Sequence, residues 1–288
     1  MLIEKITSRH NPLVKRFRAV RAGAEHQFVF LEGVRLIEEA LRSGVRFESI
    51  AFSSAAESSD RGIALLDALD SVACRGAHVS PQVMDGIAET DSPQGIVAIV
   101  SRPCFELADA LGRAPQLVII ADQLQDPGNL GSIIRTAEAA GATGVITTRH
   151  TVDPFNHKAL RASMGSALRL PLVTDAKPDQ VVTSCRDARI KIIASKPASA
   201  TTRPLIDDAA HIAKAASYTD FDFTRAVALV MGREASGVSD EIEIDADSFV
   251  HIPMATSTES LNVAAAAAVL LYEAARQRRF VFGGKESE

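Results

Sequence analysis

Residues 117–142 read LVIIADQLQDPGNLGSIIRTAEAAGA. The run 117–121 is continuously apolar, short and β-rich, the pattern of a parallel strand buried on both faces. After it come Gly128, Asn129 and Gly131, then Ile133, Ile134, Ala137 and Ala140 at helical spacing. A buried strand that passes through a glycine-bearing turn into a helix is the repeating unit of parallel α/β sheets. Such sheets bind ligands outside the carboxyl ends of their strands. The loop 122–132 therefore admits two readings. It is a tight strand-to-helix turn capped by Asn129, or a substrate loop that presents Asn129 and Arg135 at a helix N-terminus. There the free N–H groups and the dipole favour a phosphate. Spacing alone leaves the two about level.

Further strands are predicted at 145–148, 190–194, 227–231 and 249–252, and a last helix from about 260 to 278. Strands alternating with helices imply a mostly parallel sheet covered on both faces. Two more strand ends lead into unusual loops. The first, 232–238, reads GREASGV; its two glycines, Gly232 and Gly237, permit close backbone approach to a ligand. It matches neither a Walker loop nor a GxGxxG fingerprint. Glu234 could hold a neighbouring loop or a ligand amine, but taken alone it reads as a solvent-facing acid in a turn. The second loop runs from Ile252 and Met254 to Ser260, Leu261 and Asn262, with Ser260 read as an ordinary N-cap. The alanine run 264–268 suits close helix packing.

Towards the N-terminus the signals describe a smaller α/β unit. Strands are expected at 28–31, 49–52 and 95–100, helices at 33–43, 63–69 and 83–87, and a short segment at Val79. Pro103, Gly112 and Pro115 mark 101–115 as a linker. A boundary near 105 gives domains 1–105 and 106–288.

Composition excludes several classes. The 288 residues are 47% hydrophobic and 23% charged, an ordinary globular balance without long disorder or fibrous repeats. Three cysteines, none in a CxxC pair, make no disulfide framework and suit a reducing compartment, hence a cytoplasmic location without structural zinc. The seven histidines form no HExxH, so no metal site is expected, and no GxSxG appears. No signal peptide is visible in 1–5. The longest apolar run, 263–272, is about half of the roughly 20 residues that cross a membrane, so no membrane partner is expected.

The net charge of −5 argues against a nucleic-acid partner only as an average. Lys5, Arg9, Lys15, Arg16, Arg18 and Arg21 stand against the single acid Glu4 in residues 1–21. Residues 200–260 hold four basic residues against eleven acids. Arg149, Lys158, Arg161 and Arg169 add to the basic side. By charge alone, the segment SRHNPLVKRFRAVR at 8–21 reads as a solvated amphipathic helix, with Leu13, Val14, Phe17 and Val20 on one face and the bases on the other, rather than as an RNA contact.

Taken in order, three segments resemble the signature motifs of the SpoU/TrmH family of RNA ribose 2′-O-methyltransferases. They are ADQLQDPGNLGSIIRTAEAAGA at 121–142, ALVMGREASGVSDEI at 228–242 and IPMATSTESLNVAAAAAVLLYEAARQR at 252–278. FVFLEGVRLIEEAL at 28–41 and TDSPQGIVAIV at 90–100 resemble the substrate-binding domain that many members carry. The resemblance implies an α/β protein: a C-terminal, trefoil-knotted, parallel-sheet SPOUT methyltransferase domain behind a smaller, ribosomal-protein-like N-terminal domain. It implies S-adenosyl-L-methionine as cofactor, structured RNA as substrate (rRNA preferred, tRNA possible) and a homodimer with the active site at its interface. By motif position the cofactor contacts are Gly232, Ile252 and Leu261, with Thr147 and Met254 beside them. Asn129, Arg135, Glu234, Ser260 and Asn262 form the catalytic and structural constellation, and Arg135 matches the arginine assigned to the target ribose. In one departure, many relatives place glycine where this chain has Thr256, and a β-branched residue does not take positive φ cheaply. Two other classes carry distinct expectations. A non-catalytic RNA-binding factor would not bind S-adenosylmethionine, and a small-molecule methyltransferase would show no salt-sensitive RNA binding.

Overall fold

In the computed structural model, the described residues are 3–112, 116–197, 215–234 and 236–278. They form two compact units, Met1–Pro103 and Cys104–Glu288.

The first unit contains β1 (Ile3–Ile6), α1 (Pro12–Arg21), β2 (Phe28–Glu32), α2 (Val34–Ser43), β3 (Phe47–Phe52), α3 (Asp60–Asp70), β4 (Arg75–Val79), α4 (Pro81–Ile87) and β5 (Ile96–Ser101). Its five-stranded sheet has the order β1-β4-β3-β5-β2. β5 runs antiparallel to both neighbours, while β1, β4 and β3 are parallel. Helix α1 starts where Asn11 Oδ1 accepts the Leu13 N–H at 2.8 Å and Pro12 takes the first helical position. It buries Leu13, Val14, Phe17 and Val20, the face expected from their spacing. Much of its positive charge is used inside the unit. Arg18 donates to the Gly86 carbonyl at 2.9 Å, and Arg21 to those of Ile87 (2.7 Å) and Ala88. These carbonyls end α4, where cations complement the helix dipole. Arg16 pairs with Glu25 and lies over the Phe28 ring.

Part of the segment read as a linker, 101–115, is structured and belongs to the second unit. Residues 107–111 form a short helix, α5 (Leu107–Leu111), whose Ala110 and Leu111 join the core of this unit. Then follow β6 (Leu117–Ala121), α6 (Pro127–Ala139), β7 (Gly144–Thr148), α7 (His157–Ser163), α8 (Ser166–Arg169), β8 (Leu172–Ala176), α9 (Pro178–Asp187), β9 (Lys191–Ser195), β10 (Ala216–Ser217), β11 (Val227–Met231), α10 (Asp240–Glu243), β12 (Ser248–His251) and α11 (Val263–Gln277). The seven-stranded sheet has the order β10-β12-β9-β11-β6-β7-β8, with every pairing parallel. All five residues of β6 and of β11 are buried. Each such aliphatic side chain is worth about 1.5–3 kcal/mol of burial. Because β12, β9, β11 and β6 are adjacent and parallel, the loops after them emerge on one edge of the sheet. The far end of α11 is held by Arg278, which donates to the Phe223 and Gln116 carbonyls at 2.7 and 2.9 Å. Burial lowers the pKa of this guanidinium. Cys185 lies in the core, where burial pushes its thiol up to about 12.

Candidate active site at the carboxyl edge of the parallel sheet

A buried carboxylate organises this edge. Asp122, directly after β6, accepts the Thr148 hydroxyl at 2.7 Å on Oδ1 and the Ser239 N–H at 2.7 Å on Oδ2. Its own N–H donates to the Met231 carbonyl at 2.8 Å. One side chain thus ties together the ends of β6 and β7 and the far side of the 232–238 loop, with every polar atom satisfied as burial requires.

Helix α6 starts at Pro127, inside the segment 122–132 read from the sequence as a loop. Asp126 is its N-cap and accepts the Asn129 N–H at 2.7 Å. Asn129 is therefore not the cap but the third helical residue, and its side chain is available for tertiary contacts. Its Nδ2 donates to Glu234 Oε1 at 2.7 Å. Likewise Ser260 is not the cap of α11. That role falls to Asn262, whose Oδ1 accepts from the Ala264 and Ala265 N–H groups. Its Nδ2 points the other way and donates to Glu234 Oε1 at 3.0 Å and to Asn129 Oδ1 at 3.1 Å. Asn129, Glu234 and Asn262, each from a different segment, form one hydrogen-bonded cluster. Glu234 is exposed in a turn, as read from the sequence, but its carboxylate also holds two helix starts.

The 232–238 loop folds on itself. Arg233 and Gly237 exchange backbone hydrogen bonds at 2.9 and 2.8 Å, and Gly237 has φ +71°. A Cβ on Gly232 would stand 2.3 Å from the backbone of Gly237 and Val238. The close approach that requires glycine at 232 is thus to the loop's own chain.

Beside this loop is a pocket. Its wall includes Met231, Gly232, Glu234, Ile252, Met254, Glu259, Ser260, Leu261 and Val263, together with Lys196 from the end of β9. Four of the five predicted cofactor residues meet here. Thr147 does not line it: it is buried within β7, and its Oγ1 accepts the Asp175 N–H at 3.3 Å. Lys196 was not foreseen, although its place at a parallel strand's carboxyl end is where a ligand residue is expected. Its ammonium lies 2.5 Å from Glu243 and 4.3 Å from the centre of the Phe249 ring. The loop through Thr256 has no residue at positive φ, so a β-branched residue is accommodated there.

Arg135 is not in the cluster. It is exposed on α6, two turns past the N-cap, and makes no ion pair or hydrogen bond among the described residues. Arg169, counted above with the basic side of the charge balance, is taken up by Glu138 through two 2.8 Å contacts. Among the described residues, no three His, Cys, Asp or Glu side chains are grouped to hold a metal ion, and no helix is long and apolar enough to cross a membrane.

Residues 116–272 match the SpoU rRNA Methylase family, and residues 3–98 match the MRM3-like substrate binding domain. The chain is 33% identical to the 23S rRNA (uridine(2479)-2'-O)-methyltransferase of Streptomyces viridochromogenes, over 92% of this chain and 87% of that protein. It is 30% identical to the 23S rRNA (guanosine(2553)-2'-O)-methyltransferase RlmP of Bacillus subtilis, over 94% and 98%. Among solved structures, the AdoMet-bound rRNA methyltransferase from Sinorhizobium meliloti superposes with a TM-score of 0.79 at 29% identity, over 95% of this chain and 98% of that one.

Proposed function

Because the chain belongs to the SpoU rRNA methylase family, we propose that it transfers a methyl group from S-adenosyl-L-methionine to a ribose 2′-hydroxyl of ribosomal RNA. The observation that carries this reading is the Asn129–Glu234–Asn262 cluster, whose Glu234 lines the pocket and which joins all three motif segments in one place. The pocket suits the cofactor. Met231, Ile252, Leu261 and Val263 offer apolar walls for a base and an aliphatic chain, and Lys196, Glu234 and Glu259 offer polar groups for its charged end. When bound, the cofactor supplies a sulfonium methyl already activated towards a nucleophile.

The remaining task falls to the protein: to place a ribose hydroxyl and to accept or relay its proton. Glu234, held by two amide donors, keeps the motif segments in register at the pocket. Arg135 orients the hydroxyl and an adjacent phosphate bidentately, or acts as base after strong desolvation. A guanidinium does not readily give up its proton, which favours the orienting role. An Arg135→Lys variant with full activity would contradict both.

The enzyme is a cytoplasmic homodimer with a trefoil-knotted catalytic unit. Support for the dimer comes from an apolar stripe along α11, in which the exposed Ala265 and Tyr272 and the half-buried Ala268 and Val269 recur at helical spacing. That Arg135 makes no hydrogen bond to the cluster in its own chain supports an active site completed across that interface. The strand order β12-β9-β11-β6, with α11 packed back on α6, supports the knot. Domain 1–105 binds the substrate RNA and 106–288 carries the chemistry. Titration calorimetry should show S-adenosylmethionine binding, which a purely RNA-binding factor would lack. Ribose-methylation mapping of rRNA from cells without the gene should show one site losing its methyl group. No lost site would refute the reading.

A further inference from the structure

Helices α6 and α7 pack with almost no space between their backbones. A Cβ on Gly131 would stand 2.3 Å from the Ala159 carbonyl oxygen and 2.6 Å from the Ala162 Cβ. Lys158 and Arg161, next to those two alanines, are exposed, and so is Arg135, one turn beyond Gly131 on α6. The turn after β7 adds the exposed Arg149. That turn is docked on the loop feeding α6 by the Val152 N–H to the Leu124 carbonyl (2.8 Å) and by Gln125 Nε2 to the His150 carbonyl (2.5 Å).

None of the side chains of Arg135, Arg149, Lys158 and Arg161 makes an ion pair or hydrogen bond among the described residues. Elsewhere in the same unit, Arg169, Arg186, Lys196, Arg225 and Arg276 are paired with carboxylates, while Lys177, Arg189, Lys191 and Arg233 are single unpaired bases among the described residues rather than members of a group on two packed helices. The acid best placed on α6 to neutralise this surface, Glu138, has both oxygens engaged by Arg169. Against the one exposed carboxylate of the intervening segment, Asp153, the four bases leave the ridge with a surplus of positive charge, which repels itself unless an anion covers it. It also starts beside the cluster, since Asn129 lies on the first turn of α6.

We infer that the α6–α7 ridge, with the 149–150 turn, grips phosphates of the RNA next to the target ribose, so that the catalytic unit binds the RNA backbone itself. This rests on the RNA methyltransferase reading above. Contacts of this kind fix register and orientation and carry no sequence information.

The test is a Lys158→Ala/Arg161→Ala double variant of the full chain, with binding to unmodified 23S rRNA transcript measured across a range of salt concentrations. Wild type should bind with a negative slope of log affinity against log salt. The double variant should bind about tenfold more weakly at low salt, with a slope smaller in magnitude by about 1.4–1.8, the release expected for two phosphate contacts. Its S-adenosylmethionine affinity should stay within about twofold of wild type, since neither residue lines the pocket. An unchanged RNA affinity and slope in the variant, with wild type binding normally, would overturn the ridge and leave the methyltransferase reading intact. A wild type with no salt-dependent RNA binding would overturn both.

Discussion

Asn262 does two jobs with one amide. Its oxygen caps α11, and its nitrogen reaches Glu234 and Asn129. Replacing it by alanine should cost about 1 kcal/mol of stability from the lost cap, read from denaturant unfolding. Asn262→Asp keeps a capping oxygen and suits the helix dipole, but sets a carboxylate against that of Glu234. It should therefore lose methyl transfer as alanine does. Recovery of activity by Asp would show that only the cap matters. The two glycines of the neighbouring loop make a second contrast. Gly232→Ala places a Cβ 2.3 Å from backbone atoms and should abolish cofactor binding. Gly237→Ala meets no atom within 4 Å and carries only the positive-φ cost, roughly 1–2 kcal/mol. At this scale the sequence names the right residues but not their joint arrangement. Asn129, Glu234 and Asn262 each have an ordinary local explanation. What joins them are contacts across 105 and 133 positions of chain, which no local periodicity encodes.

Among the elements, buried strands such as β6 and β11 were legible because both their faces are covered, so the apolar run is unbroken. β1 and β8 were not: each lies at the edge of its sheet and is partly exposed, so its pattern is too polar to stand out. The start of α6 was misplaced although Asp126-Pro127 is a strong cap and first-turn pair. The glycines at 128 and 131 masked it, and Gly131 is there for the approach of α7 rather than to end a helix. The α6–α8 contact gives a pH-dependent prediction. Arg169 hydrogen-bonded to Glu138 holds that carboxyl below its ordinary pKa. A depressed folded pKa stabilises above the ordinary carboxylate value, and the stabilisation is lost as pH falls through the lowered one. Glu138→Gln should therefore cost up to about 1 kcal/mol at pH 7, allowing for solvent screening. The difference from wild type should shrink as pH falls below about 4 in urea unfolding.

Over the whole molecule, the net charge of −5 conceals a division of labour. Several arginines of the basic N-terminal segment are spent on carbonyls within their own unit, whereas those of the α6–α7 ridge are left unpaired. The two-part organisation could be read from the alternation of strand and helix signals. Strand order could not, because β9, β11 and β12 find their places through non-local pairing. The account rests on methyl transfer to a ribose oxygen, and one measurement tests that most directly. Purified protein is incubated with methyl-labelled S-adenosylmethionine and unmodified 23S rRNA, and the RNA is then hydrolysed in alkali. A methylated 2′-oxygen cannot attack the neighbouring phosphate, so the label should be recovered in a single alkali-resistant dinucleotide. Label in mononucleotides, as base methylation would give, or none in the RNA at all, would contradict it.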